Sequence, residues 1–289
     1  MSNTIKFFFS FIFLCGIFSN SAVSGSEGDR LYASGKYFEA SIEYEWMIFK
    51  AENQADLYYY KYRKALCYKQ LRDFSRALDE LQPMYFTSAN DSLFQRVCYE
   101  QSLCFYLNGE PSKALWKIDE YFYRSADSIT HKVFMPVRLL CLNETFQWEE
   151  AKKCFRRFVQ MQSFGAEKEA EMQLMVDNLY EKRNLPHIRS IKTAENWSRF
   201  IPGSGQMYSG KAGEGIVNFL LNASILAFSA HQAFNGFYIT GYLAGLGFFN
   251  KTYQGGIKRA GILASQKNKE IIVNFNSGIN AMIRSDFLN

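Results

Sequence analysis

The chain has 289 residues, enough for one or two domains with a substantial core, and its aromatic share of 17 % suits helical repeats or membrane segments better than a soluble enzyme. The formal net charge of +5 is modest and scattered. It forms no basic stripe with interleaved aromatics, which sets nucleic-acid binding aside.

Residues 1–24 read as a secretory signal peptide. Lys6 precedes the apolar run Phe7 to Phe18, and the small residues "SNSAVSGS" follow. Cleavage is expected after Ala22 or Ser24. The competing reading, an uncleaved anchor, needs a longer apolar run, about 20 residues for a span. Cys15 lacks the small residues that a lipoprotein signal places before its cysteine. The five cysteines that follow the signal (Cys67, Cys98, Cys104, Cys141, Cys154) are odd in number, with no CxxC, so no disulfide framework is expected.

Residues 27–184 carry an internal repeat. Ala40, Ala77, Ala114 and Ala151 recur at intervals of 37 residues, and three positions before each stands Tyr37, Phe74, Pro111 or Trp148. A second triplet recurs upstream of the last three alanines: "LCY" at 66–68, "LCF" at 103–105 and "LCL" at 140–142. A fixed period in this range predicts stacked helix pairs. The alanine admits close helix approach, the aromatics fill the space beside it, and Cys67, Cys104 and Cys141 serve as small buried apolar residues. The aromatic three residues before each alanine, and the aromatic nine residues before it (Tyr68, Phe105, with Leu142 departing), resemble the tetratricopeptide repeat. The period departs from that family's usual 34, and Pro111 replaces one aromatic. The resemblance implies an all-α solenoid whose concave surface binds a partner protein. "SFGAEKEAEMQLMVDNLYEK" at 163–182 reads as a final helix with a charged face that caps the stack. The Tyr58-Tyr59-Tyr60 run either lines the concave face or packs between repeats.

At "RNLPHIRS" the character changes: Pro186 breaks the helix and a basic linker, 185–200, is expected. A hydrophobic hairpin, 201–262, follows. From Gly215 to Asn250 there is no Asp, Glu, Lys or Arg, enough for two short arms turning at His231 to Gly236. Each arm is close to the lower limit for crossing a core of about 30 Å. Residues 263–289 read as a polar tail.

"IPGSGQMYSGKAGEG" at 201–215 contains Gly205-x4-Gly210-Lys211, one hydroxyl short of a nucleotide-binding P-loop, since Ala212 follows the lysine. No buried strand precedes it. A mechanical use of the glycines fits better: a tight membrane entry, with Trp197, Phe200, Met207 and Tyr208 at headgroup level. Pro202, Gly203, Gly205, Gln206, Tyr208 and Gly210 resemble the PGxGQxYxG entry motif of TM2-like two-helix domains in bacterial membrane proteins. That resemblance implies membrane association and little chemistry. It also implies a polar glycine turn after the second helix, at "NKTYQGGIKRAG". Gly241 and Gly245 form a small-xxx-small pair suited to helix packing, and Asn218 and Asn222 share a face of the first arm.

Both flanks of the hairpin are basic, whereas export puts them outside the cytoplasm, against the positive-inside preference. A re-entrant or interface-lying hairpin whose basic ends meet anionic headgroups resolves the conflict. His131, His187 and His231 sit in no nucleophile, base or metal pattern, so no catalytic, cofactor or metal site is expected. The sequence therefore points to an exported, periplasm-facing, membrane-associated all-α protein: a repeat solenoid binding a protein, held by a C-terminal membrane hairpin. The competing reading is a homo-oligomeric membrane assembly, joined through Gly241 and Gly245, that transports a substrate or seals a complex.

Overall fold

The computed structural model describes residues 25–82, 84–86, 91–125 and 128–287; residues 1–24, where a signal peptide is expected, lie outside them. The protein is all-helical, with no strand among the described residues. It divides into two compact units between Leu185 and Pro186.

The first unit is a run of helices: α1 (Glu27–Ala33), α2 (Tyr37–Lys50), α3 (Gln54–Gln70), α4 (Phe74–Leu81), α5 (Ser92–Leu107), α6 (Pro111–Arg124), α7 (Ser128–Glu144), α8 (Trp148–Gln160) and α9 (Ala166–Leu179). Each packs on the next, and α5 also packs on α3 and on α7. The repeat residues form the core. Ala40, Ala77, Ala114 and Ala151 are fully buried, as are Cys67, Cys104 and Cys141. Ring contacts fill the space around them: Tyr121 stacks on Phe134 at 4.5 Å and meets Phe94 at 5.6 Å. Tyr58, Tyr59 and Tyr60 are half-buried, with Tyr58 against Phe86 and Tyr59 against Tyr60.

The same turn joins the two helices of each pair. Gly35, Arg72, Gly109 and Phe146 are 37 residues apart, and each has a positive φ, between 60° and 80°. After each, the next N–H reaches back five residues: Lys36 to Leu31, Asp73 to Tyr68, Glu110 to Phe105 and Gln147 to Leu142, all at 2.9 Å. This is the Schellman closure, which satisfies the carbonyls a helix end leaves unpaired. The residue that opens the following helix is Tyr37, Phe74, Pro111 or Trp148. Pro111 thus replaces an aromatic at the first helical position, where its missing N–H costs nothing.

In the second unit, α10 (Ile191–Phe200), α11 (Ser204–Tyr208) and α12 (Ala212–Phe234) precede a short α13 (Tyr238–Thr240), a π-helical turn (Gly241–Leu246) and the long α14 (Gly247–Phe287). Three expectations are corrected here. The segment 185–200 is not a bare linker: Ser190 caps α10, whose Ala194 is buried against Ala260 and Ala264 of α14. No turn follows the second arm, because α14 continues through Gly255-Gly256, and Gly256 and Gly261 make room for neighbours. A Cβ on Gly256 would lie 2.8 Å from the Asn218 side chain, and one on Gly261 2.6 Å from Glu195. The tail 263–289 is the continuation of that helix to Phe287, with Ile272, Ile279 and Ile283 buried.

Candidate functional site

The PGxGQxYxG residues build one small knot. Ser204 N–H donates to the Ile201 carbonyl across Pro202-Gly203, with Gly203 at φ 94°, the geometry of a Pro-Gly type II turn. A side chain on Gly203 would collide with the Gly215 carbonyl at 2.0 Å, so α11 and the start of α12 touch backbone to backbone. Gly205 makes the second close approach. Its Cβ would sit 1.9 Å from the Ala194 carbonyl and 2.8 Å from Ala260. Gln206, 1 % exposed, ties the knot: its amide donates to the Gly256 carbonyl at 3.1 Å and its Oε1 accepts from Ser198 at 3.1 Å. Ser198 Oγ in turn accepts from Gly205 N–H, and Ser209 Oγ donates to the Gly205 and Ala260 carbonyls. Tyr208 accepts from Ser190 N–H and stacks on Trp197 at 6.5 Å between centroids. Gly210, at φ 86°, closes α11 with Lys211 N–H on the Gln206 carbonyl.

Each motif residue from Gly203 to Gly210 therefore has a mechanical task, and backbone donors that a phosphate cradle would draw from the loop are taken up within it. The Gly205, Met207, Ser209, Gly210 and Lys211 N–H groups all bond within the knot. Sequence reasoning missed its supports, Ser198, Ser209, Ala194 and Ala260. Their signal is faint, since small residues on two helices acquire meaning only when those helices meet. A further tie is Asn268, whose side chain both accepts from Arg189 N–H and donates to the Arg189 carbonyl, each at 2.8 Å.

Beyond the knot, α12 pairs antiparallel with the π-turn and the first part of α14. Arg259 meets Glu214 at 3.0 Å, Gly256 faces Asn218, Thr252 donates to Asn222 at 2.8 Å, and Gly245 lies against Ser229. The chain reverses at Asn235-Gly236, with Gly236 at φ 82° and Phe237 N–H on the Gln232 carbonyl; α12 runs on past His231, so the turn is tighter than the sequence suggests. Ser229 Oγ donates to the Gly241 carbonyl, and a Cβ on Gly245 would strike Ser229 at 2.4 Å. Gly241 and Gly245 thus spend their small size inside this hairpin. Large apolar side chains cover its outside: Phe234 is 92 % exposed and Ile239 76 %. Among the described residues α12 is the one helix long and apolar enough to cross a membrane. At the other end Phe200 is 88 % exposed and Trp197 more than half exposed.

On the first unit, Phe38, Ile42, Trp46 and Phe49 are all exposed along α2. Their spacing is that of one helical stripe, a signal that was readable in the sequence and was passed over. Beneath it, Arg63 ties α1 to α3. It meets Asp29 at 2.6 Å and donates to the Tyr44 hydroxyl, which itself donates to Asp29 at 2.6 Å. Burial pushes the Asp29 carboxyl up, but hydrogen bonds from Tyr44 and Ser26 and the Arg63 charge outweigh it and hold the group below its ordinary value. Lys69 and Glu100 form a buried ion pair between α3 and α5 at 2.6 Å. Burial raises the thiols of Cys67, Cys98, Cys104 and Cys154 to about 12, and that of Cys141 well above its ordinary value. Burial thus disfavours the thiolate, the form in which a cysteine acts as a nucleophile. Among the described residues no His, Cys, Asp and Glu side chains group as metal ligands. Comparison with known protein families, with characterised proteins and with solved structures finds no match to this chain.

Proposed function

We propose that the protein is an exported, membrane-anchored adaptor. Its repeats form a tetratricopeptide-like solenoid that binds a partner protein, and its C-terminal hairpin holds that solenoid at a membrane. Its mechanism is positioning rather than catalysis. The observation that carries this reading is the placement of exposed apolar side chains, which are concentrated on the hairpin, charge-free from Gly215 to Asn250, and on one stripe of α2. A soluble monomer rarely leaves such contiguous surface to water. Four identical turns at 37-residue spacing support the solenoid, because nearest-neighbour stacking needs the same geometry at every step. The rival reading, a membrane oligomer joined through Gly241 and Gly245, has no observation in its favour, since both glycines are already in use against Ser229.

The test is cross-linking of the tagged full-length chain in its native cells, beside a W46E/F49E variant. Both substituted positions are exposed, so folding is spared. One dominant partner, recovered with the native chain and lost with the variant, supports the adaptor. Equal recovery from both moves the binding face elsewhere, and self-multimers alone refute the adaptor reading.

A further inference from the structure

We propose that the hairpin enters the bilayer from one face and stops inside it, a wedge with its Asn235-Gly236 tip among the acyl chains, instead of crossing. This rests on the membrane reading above and specifies how the hairpin meets the lipid.

The argument is one of register. Opposed pairs run Glu214 with Arg259, Asn218 with Gly256, Asn222 with Thr252 and Ser229 with Gly245. Lys251, exposed and one residue from Thr252, is therefore level with the middle of α12, and no charged residue lies between it and the tip on either arm. From Gly236 to Lys251 is 15 residues by number, which is roughly 20 Å of arm at about 1.5 Å per residue. The hydrocarbon core is about 30 Å thick. On this tip half the large exposed side chains are apolar on both arms, through Leu226, Phe228 and Phe234 on α12 and Ile239, Tyr242 and Phe248 opposite, with His231 the one titratable side chain among them.

The base half is two-faced. There α12 exposes Val217, Leu220 and Leu221, while the opposing arm exposes Asn250, Lys251, Gln254 and Gly255. A hairpin that crossed would drag this polar flank and Lys251 into hydrocarbon, where a charged side chain is disfavoured. A wedge that stops at Lys251 leaves the flank at headgroup level. There Lys251, Lys258, Lys211 and Arg199 are all exposed and form a cationic collar suited to anionic lipid. Tyr253 fixes the Arg199 end of α10 at that level by donating to its carbonyl at 2.7 Å. Exposed Phe200 and Trp197 stand beside the collar, where aromatic rings are favoured. The wedge also eases the topological conflict of basic flanks outside the cytoplasm, because both flanks stay on the face of entry, where anionic headgroups balance their charge.

The test uses the full-length chain with Cys15→Ser; the five remaining cysteines stay, since all are buried in the folded protein, and the parent without an added cysteine is the labelling control. Asn235→Cys, Tyr238→Cys and Lys251→Cys each carry an environment-sensitive fluorophore, in phosphatidylethanolamine–phosphatidylglycerol vesicles, with lipid quenchers at shallow or deep acyl positions and iodide inside or outside. The wedge requires deep quenching and iodide protection on both sides at 235 and 238, with shallow quenching and outside iodide access at 251. Quenching at 235 by trapped iodide means crossing, and shallow quenching there means a surface-lying hairpin. Either overturns the wedge and leaves the membrane reading intact. Access to outside iodide at 235 and 238 with no lipid quenching overturns both. Tyr238→Cys keeps the test decisive should Asn235→Cys disturb the turn.

Discussion

Gly205→Ala adds one methyl group where three groups already converge. The new Cβ would lie 1.9 Å from the Ala194 carbonyl, 2.4 Å from Ser198 Oγ and 2.8 Å from Ala260 Cβ. The nearest obstacle is helix backbone, so relief requires moving α11 away from α10 by more than an ångström. Such overpacking costs about 1–3 kcal/mol. The shift also breaks the Gly205 N–H bond to Ser198 and strains the Ser198–Gln206 bond, leaving buried polar groups short of partners at about 1–3 kcal/mol. Alanine's better helix propensity returns about 0.5–1 kcal/mol, for a net loss of about 1–5 kcal/mol. Gly255→Ala is the control of opposite sign: nothing lies within 4 Å of its Cβ in α14, so only the propensity gain of about 0.5–1 kcal/mol remains. The assay is urea unfolding in mild detergent followed by Trp197, with Trp46, Trp116 and Trp148 replaced by Phe. Equal stability for Gly205→Ala and the parent, or a gain like that of Gly255→Ala, would refute the packing described for the knot.

Lys69→Met strands Glu100 without its buried partner and is expected to destabilise the repeats by about 3–5 kcal/mol, whereas Lys69→Met with Glu100→Leu regains most of that loss in chemical denaturation. The depressed Asp29 carboxyl contributes stability that is present above its ordinary value of 3.8 and is lost as pH falls through the lower folded value. Asp29→Asn should therefore flatten the acid limb of the stability curve and lower stability at neutral pH; an unchanged limb would rule the network out as its cause. Gly109→Ala meets nothing within 4 Å, so its cost is purely the left-handed backbone, about 1 kcal/mol in thermal unfolding. The buried thiols of the repeats should resist a maleimide at pH 8 in the native state and react promptly in denaturant.

Much of the first unit was legible because its period reports burial directly: a position that must be small recurs as alanine or cysteine wherever two helices touch. The turn was half hidden. Gly35 and Gly109 announce a left-handed residue, but Arg72 and Phe146 hold the same conformation, and a cation or an aromatic ring signals nothing of the kind. The entry motif was legible as glycines needing close approach, but its partners lie far along the chain. Gln206 reaches Gly256 and Ser209 reaches Ala260. Gly256 misled for the same reason: a glycine that makes room for Asn218 is indistinguishable, in sequence, from one that turns the chain. The extent of the wedge was also out of reach, because the position of Lys251 along the hairpin depends on which residues face each other.

The identity of the four turns limits how this chain can change length. A single residue inserted into the helix after Gly109 would rotate everything beyond it by about 100°, and Ala114 would swing out of the core to be replaced by a larger neighbour. Insertions there are tolerated only if they restore the phase, and the shortest that also restores both buried positions and the closing turn is a whole repeat of 37 residues. Loss or gain of complete repeats is thus the one length change this architecture accepts without remaking its contacts, and the turns at Gly35, Arg72, Gly109 and Phe146 are where an engineer would cut.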